Sequence, residues 1–320
     1  MTTDEVTAEG GSQPAHRPWM TAVKWAFYAA VVAAFGYFLA TVDWHALDDI
    51  EVGWGWMAAA TVIALGFRYL GVIVWRVVLT RLGADHLPRF RVMGDIYAKA
   101  WLARYIPGTI PWIAGKIYLA AEQGISKARL AVSTLVEAAA QVVAVAAVSL
   151  AMLAVDPRIG EIAPVLRWIA VAGALAGFVA MIPPVFNRLL ALGARALRRD
   201  ISVAVDWPVV RDSLALYGGG ALVSGLGYAL LMRSVVPEVG YADLLFLVGA
   251  FGLSGVVGML TPLVPSGLGT RDATQMALLL VILPAPTAAL VVLLSRVWSA
   301  ACDLLFWALA VTLARTAPTR

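Results

Sequence analysis

Apolar runs close to the ~20 residues that one bilayer crossing needs recur from near Thr21 to near Leu313. Inside hydrocarbon every backbone N–H and C=O must find a partner within the protein, so runs of this length become helices. Charged residues make up only 14% of the 320 positions and hydrophobic ones 61%. A globular domain has roughly a quarter of its residues charged, so the pattern describes a polytopic all-α membrane protein. The first run is long for a signal peptide and lacks a small-residue cleavage site, so it is expected to be retained. Residues 1–18 are polar and Gly/Ser-containing and are expected to form a disordered tail, with 19–316 as one transmembrane domain.

Several chemistries are set aside early. Cys302 is the sole cysteine and lies in the last apolar run, which excludes a disulfide framework. His16, His45 and His86 are far apart and form no metal-ligand cluster, so no metal or other cofactor is expected. The net charge of +4 fits basic cytoplasmic loops and requires no nucleic-acid partner. Gly115-Lys116 lacks the other elements of a P-loop, so no ATP hydrolysis is expected. The abundance of Ala, Val and Arg over Lys suggests a bacterial, GC-rich source.

Six full spans are predicted, at about 21–41, 55–79, 130–154, 163–183, 213–233 and 287–313. Two more apolar stretches, about 94–122 and 243–283, are broken by Ile106-Pro107-Gly108-Thr109-Ile110-Pro111 and by Thr261-Pro262-Leu263-Val264-Pro265-Ser266-Gly267-Leu268-Gly269. Neither break can stay helical, because proline removes a backbone donor and disfavours helix in the residue before it. Basic residues then set the orientation. Arg81, Arg89, Arg91, Lys127, Arg129, Arg188, Arg195, Arg198, Arg199, Arg211, Arg315 and Arg320 should face the cytoplasm. The loops at 42–53, 155–162 and 234–242, with Asp43, Asp48, Asp49, Glu51, Asp156, Glu161 and Glu238 against the single Arg158, should face outward.

Both conditions hold together if each broken stretch is a re-entrant helical hairpin that returns to its own side. The halves, about 21–154 and 163–313, then form an inverted repeat whose broken segments mark the binding site. Both termini would be cytoplasmic, in a bacterial inner membrane. The competing arrangement has each broken stretch crossing as one kinked helix or as two helices.

At each break a returning half-helix begins, with Thr109 expected to cap one and Thr270 the other. Two helix N-termini would point their free N–H groups at the membrane centre and attract an anion. Arg104 and Arg271 flank the breaks, and guanidinium groups hold phosphate bidentately. Gly108, Thr109, Gly267, Gly269, Thr270 and Asp272 complete this candidate headgroup site. Arg68, Lys116, Glu137, Gln141, Arg296 and Asp303 are expected at membrane depth. A charge facing lipid there costs at least ~2.5 kcal/mol, so these groups should face inward for pairing or coupling. Arg296 and Asp303 are seven apart, share a helix face and are expected to pair in part. Glu137 and Asp303 are candidate carriers for a coupling proton or ion.

Trp75-Arg76-Val77-Val78-Leu79 with Leu82-Gly83, Tyr105-Ile106-Pro107-Gly108, Glu137, and Pro265-Ser266-Gly267-Leu268-Gly269-Thr270-Arg271-Asp272-Ala273 resemble the transmembrane domain of the lysylphosphatidylglycerol synthase/flippase family. The resemblance covers about 21–315, and its last motif is the most specific part. Ser266 stands where the family usually has Gly, and Asp272 where it usually has Glu. Multi-domain relatives carry a soluble aminoacyl-transferase domain after this region. The chain ends at Arg320, so a stand-alone membrane domain without lysyl transfer is expected. The resemblance implies translocation of lipid between leaflets.

The leading expectation is therefore a non-enzymatic translocase for a phosphate-bearing phospholipid headgroup, with a polyprenyl-phosphate-linked sugar as the alternative cargo. A second class is a membrane glycosyltransferase using a polyprenyl-phosphate donor, for which Asp48-Asp49-Ile50-Glu51 could bind a metal. The same stretch reads as an interfacial amphipathic helix, since Trp44, Leu47, Ile50 and Trp54 recur at helical spacing. A third is a scaffold whose basic stretch from Arg188 to Arg199 docks a separate lipid-modifying enzyme or anionic lipid. Gly218-Gly219-Gly220 and Gly225-Leu226-Gly227 would permit close helix approach within one chain or in a homo-oligomer.

Overall fold

The computed structural model describes residues 51–84, 86–105, 110–158, 164–196, 203–261 and 267–316. The expected span at 21–41, the tail at 1–18, Asp48 and Asp49, and the centres of both breaks (106–109 and 262–266) lie outside them. Among the described residues there are ten α-helices and no strand. They are α1 (Trp54–Arg81), α2 (Phe90–Leu102), α3 (Ile110–Ala121), α4 (Lys127–Val155), α5 (Pro164–Met181), α6 (Pro183–Ala196), α7 (Trp207–Arg233), α8 (Leu244–Met259), α9 (Thr270–Leu279) and α10 (Ala285–Arg315). Short 3-10 turns at Ala103–Tyr105 and Tyr241–Asp243 end α2 and lead into α8. The protein is an all-α polytopic membrane protein.

Four helices, α1, α4, α7 and α10, have 27 to 31 residues and an apolar window long enough to cross a bilayer. The 19 residues Tyr241–Met259 also reach that length. The helix α5 ends at Met181, and the chain turns by 78° into α6, which opens on Pro183-Pro184. A proline pair lacks two backbone donors and cannot continue the helix, so the predicted span at 163–183 stops there. At about 1.5 Å per residue α2, α3 and α9 are only about 20, 18 and 15 Å long, too short to cross ~30 Å of hydrocarbon singly.

Helices α1 and α7 run antiparallel at the centre. Arg81 pairs with Asp212 at 2.9 Å at one end, and Gly53 N–H donates to Ser234 O at 2.7 Å at the other. The short-helix pair α2/α3 packs on α10 through α2, and the pair α8/α9 packs on α4 through α8. Without a hydrophobic drive between helices in lipid, close packing must supply the cohesion, and small residues allow it. A Cβ at Gly225 of α7 would sit 2.7 Å from Val248 Cα of α8, and one at Gly249 would sit 2.6 Å from Leu153 Cγ of α4. Of the two glycine-rich stretches, Gly220, Gly225 and Gly227 therefore serve contacts within the chain.

Candidate functional site

Arg68 on α1 and Asp303 on α10 are 235 positions apart, and Arg68 Nε donates to Asp303 Oδ1 at 2.6 Å. The Asp303 carboxylate is fully buried and also accepts from Trp101 Nε1 at 3.0 Å and from the Tyr105 hydroxyl at 2.6 Å. Arg104 reaches its Oδ2 at 3.2 Å. Trp101, Arg104 and Tyr105 all come from the end of α2 and its 3-10 turn, at the edge of the first break. Spacings of three and four residues put Trp101, Arg104 and Tyr105 on one side of the turn, where they converge on one acceptor. Arg104 also lies 4.5 Å over the Trp101 ring, which helps to hold a charge in an apolar setting.

Beside this cluster lies a cavity of about 390 Å³. Arg68, Arg104 and Arg271 line it, with Gln141, Ser224 and Ser299 as further polar contributors. Aromatic rings of Phe67, Trp101, Trp112, Phe251 and Trp298 form much of the remaining wall. Arg271 follows the second break and sits 5.4 Å from the Phe251 ring. No carboxylate pairs with Arg271 among the described residues. Arg68 and Arg104 thus share the Asp303 carboxylate while Arg271 brings a third guanidinium to the same wall, and the lining among the described residues is electropositive.

The start of α9 explains the second motif. Gly267 and Gly269 have φ of 65° and 87°, values that side chains resist, and they turn the chain into the helix. Gly269 is the N-cap of α9, and Asp272 Oδ2 accepts from Gly269 N–H at 3.0 Å. Thr270, predicted as the cap, is instead the first helical residue, its hydroxyl turned back to Gly267 O at 3.4 Å. An acid three residues into the helix does the capping because it reaches back to the free N–H and complements the helix dipole. Arg296 lies 3.7 Å from Asp272. The Asp303 carboxylate, seven positions from Arg296 on α10, is met by Arg68 and Arg104 from other elements.

Lys116 of α3 and Glu137 of α4 form a separate ion pair, with side-chain exposures of 1% and 2%. Glu137 Oε1 accepts from the hydroxyls of Tyr97 at 2.6 Å and Tyr217 at 3.1 Å. The Lys116 ammonium stands 4.5 Å over Trp75 and 4.4 Å over Tyr97. Neither ion lines the cavity. Gln141, one turn after Glu137, does.

The structure thus brings Arg68, Arg104, Gln141, Gly267 and Arg271 to one cavity, with Asp303 directly behind it. Asp272, Arg296, Gly269 and Thr270 build the adjoining helix start, and Lys116 with Glu137 stands apart. Gly108 and Thr109 lie outside the described residues. Glu51 is exposed, and no group of three metal-ligating side chains occurs among the described residues. Sequence reading missed Trp101, Tyr105, Trp112 and Trp298. The i, i+4 spacing of Trp101 and Tyr105 just before the Pro-Gly break was the available signal for two of them.

The profile of the lysylphosphatidylglycerol synthase TM region family matches residues 21–306. The chain belongs to this family. No curated protein and no solved structure matches it. The matched region spans both broken segments and every helix that lines the cavity, so the arginine-lined chamber is a feature of the family domain as this chain builds it. Family membership and the apolar helices together make the chain a multi-pass membrane protein whose family is named for a lipid-headgroup synthase.

Proposed function

We propose that this protein is a lipid translocase that passes a phosphate-bearing headgroup between leaflets while the acyl or prenyl tails stay in the bilayer. The observation that carries the reading is the convergence of Arg104 and Arg271, one from each broken segment, on a single cavity with Arg68. Guanidinium groups bind phosphate oxygens in pairs, and a wall rich in aromatic rings lowers the local dielectric and strengthens that attraction. The symmetric cross-packing of each short-helix pair on the long helix of the other half supports an inverted repeat with two re-entrant hairpins. Arg81, Lys127, Arg129 and Arg211 mark the cytoplasmic face of an inner membrane in this reading, which places both termini there. No bond-making step is assigned to the chain.

Headgroup movement in proteoliposomes tests the proposal, with phosphatidylglycerol, its lysyl ester and a polyprenyl-phosphate sugar offered to wild type and to Arg271→Ala. Movement of one of these lipids by wild type, lost in a folded Arg271→Ala protein, is the expected result. Equal movement by the variant overturns the site, and no movement by properly reconstituted wild type overturns translocation.

A further inference from the structure

The chemistry of the cavity wall goes one step beyond the proposed function, on which it rests. Among the described residues, the carboxylates near the chamber are already engaged. Asp303 is fully buried and meets Arg68, Arg104, Trp101 and Tyr105. Glu137 is closed in with Lys116, Tyr97 and Tyr217. Asp272 accepts from Gly269 N–H and lies beside Arg296. None of the three lines the cavity, and the 106–109 and 262–266 segments contain no acidic residue.

An ammonium group entering this chamber would therefore meet no lining carboxylate among the described residues. It would meet Arg271, which has no carboxylate partner among the described residues, and Arg104, whose Nε is buried without a hydrogen-bond acceptor. Two of the aromatic faces that could hold a cation by its charge are already taken: Arg104 lies over Trp101 and Arg271 lies near Phe251. Like-charge contact in a partly desolvated site is a strong rejecting element, and specificity is built from such rejection as much as from attraction.

We infer that the chamber selects headgroups of net negative charge and rejects those that carry an amine. The favoured cargo is a phosphate diester or monoester without a compensating ammonium. Phosphatidylglycerol and a polyprenyl-phosphate sugar both have that chemistry, whereas phosphatidylethanolamine and aminoacylated phosphatidylglycerol do not. Gln141 becomes the residue through which the selection can be changed, because it lines the wall and its glutamate counterpart has the same shape.

The test compares translocation of four lipids in proteoliposomes: phosphatidylglycerol, a polyprenyl-phosphate sugar, phosphatidylethanolamine and the lysyl ester of phosphatidylglycerol. Wild type is expected to move at least one of the first two about tenfold or more faster than either amine-bearing lipid. Which of the two anionic lipids moves separates a glycerolipid from a prenyl-lipid cargo. Gln141→Glu is expected to narrow that preference, by slowing the anionic lipid and admitting phosphatidylethanolamine. Transport of an amine-bearing lipid as fast as the anionic ones, still lost in Arg271→Ala, overturns the charge selection while leaving translocation standing. Absence of any transport by wild type removes both. The wild-type series decides the matter even if Gln141→Glu fails to fold.

Discussion

Arg68 and Asp303 meet at 2.6 Å with the Asp303 side chain wholly withdrawn from solvent. The pair joins α1 to α10, and it fixes the position of Arg104, which shares the same carboxylate. Removing the carboxylate leaves two guanidinium groups without their anion. Loss of one partner from a buried pair typically costs about 3–5 kcal/mol. Asp303→Asn is therefore expected to lower the thermal midpoint of the detergent-solubilised protein sharply, and an unchanged midpoint would show that the pair holds nothing together.

Arg271 is placed differently, with an aromatic neighbour and no carboxylate partner among the described residues. Its replacement should therefore disturb binding more than folding. Arg271→Lys keeps the charge and loses the planar fork, so transport should fall by about tenfold or more with little change in thermal midpoint. Transport at the wild-type rate in Arg271→Lys would mean that charge alone suffices and that bidentate geometry does not contribute.

The long helices were legible because apolar length is a one-dimensional signal: the predicted 130–154 and 287–313 became Lys127–Val155 and Ala285–Arg315. Proline likewise announced the breaks. Partnerships were not legible in the same way. Nothing local in the sequence says that Asp303 will meet Arg68 across 235 positions. Trp112 and Trp298 face the cavity, yet in an apolar run a tryptophan looks the same whether it meets lipid, core or cargo. Arg104 and Arg271 could be singled out because a charge beside a helix break is costly to keep without a use.

The loop after α4 carries a prediction of its own. Hydrogen bonds from Arg158 hold the Asp156 carboxyl below its usual range, and Arg158 also binds Asp243 at 2.7 Å, tying the end of α4 to the start of α8. Because the folded pKa is depressed, the stabilisation is fully present above the unfolded value of about 3.9 and is lost as pH falls through the folded one. Wild type should be more stable than Asp156→Asn at pH 7, and the gap should close below about pH 4. A gap that persists unchanged into that range would assign the effect to something other than the ionised carboxylate.

Gly267 joins two constraints, a φ of 65° and a position where a Cβ would lie 2.6 Å from Gly258 Cα. Both partners are backbone, so neither can yield without moving the junction of α8 and α9. Gly267→Ala should cost on the order of 1–3 kcal/mol and displace Arg271. Transport is expected to fall further than thermal stability does. Equal, small losses in both would show that the junction tolerates a side chain.

Lys116 and Glu137 allow structural pairing to be separated from ion coupling. Enclosed by Tyr97, Tyr217 and Trp75 and away from the cavity wall, they have the geometry of a clasp between α3 and α4. Lys116→Met or Glu137→Gln alone leaves one buried group without its partner, at a cost of about 3–5 kcal/mol. The double substitution removes both and should recover much of that loss, giving a large coupling energy in a double-mutant cycle. Transport decides the rest. If the pair is only a clasp, the double variant regains transport as it regains stability. If Glu137 carries a coupling proton, the double variant folds, and transport driven by a proton gradient stays absent.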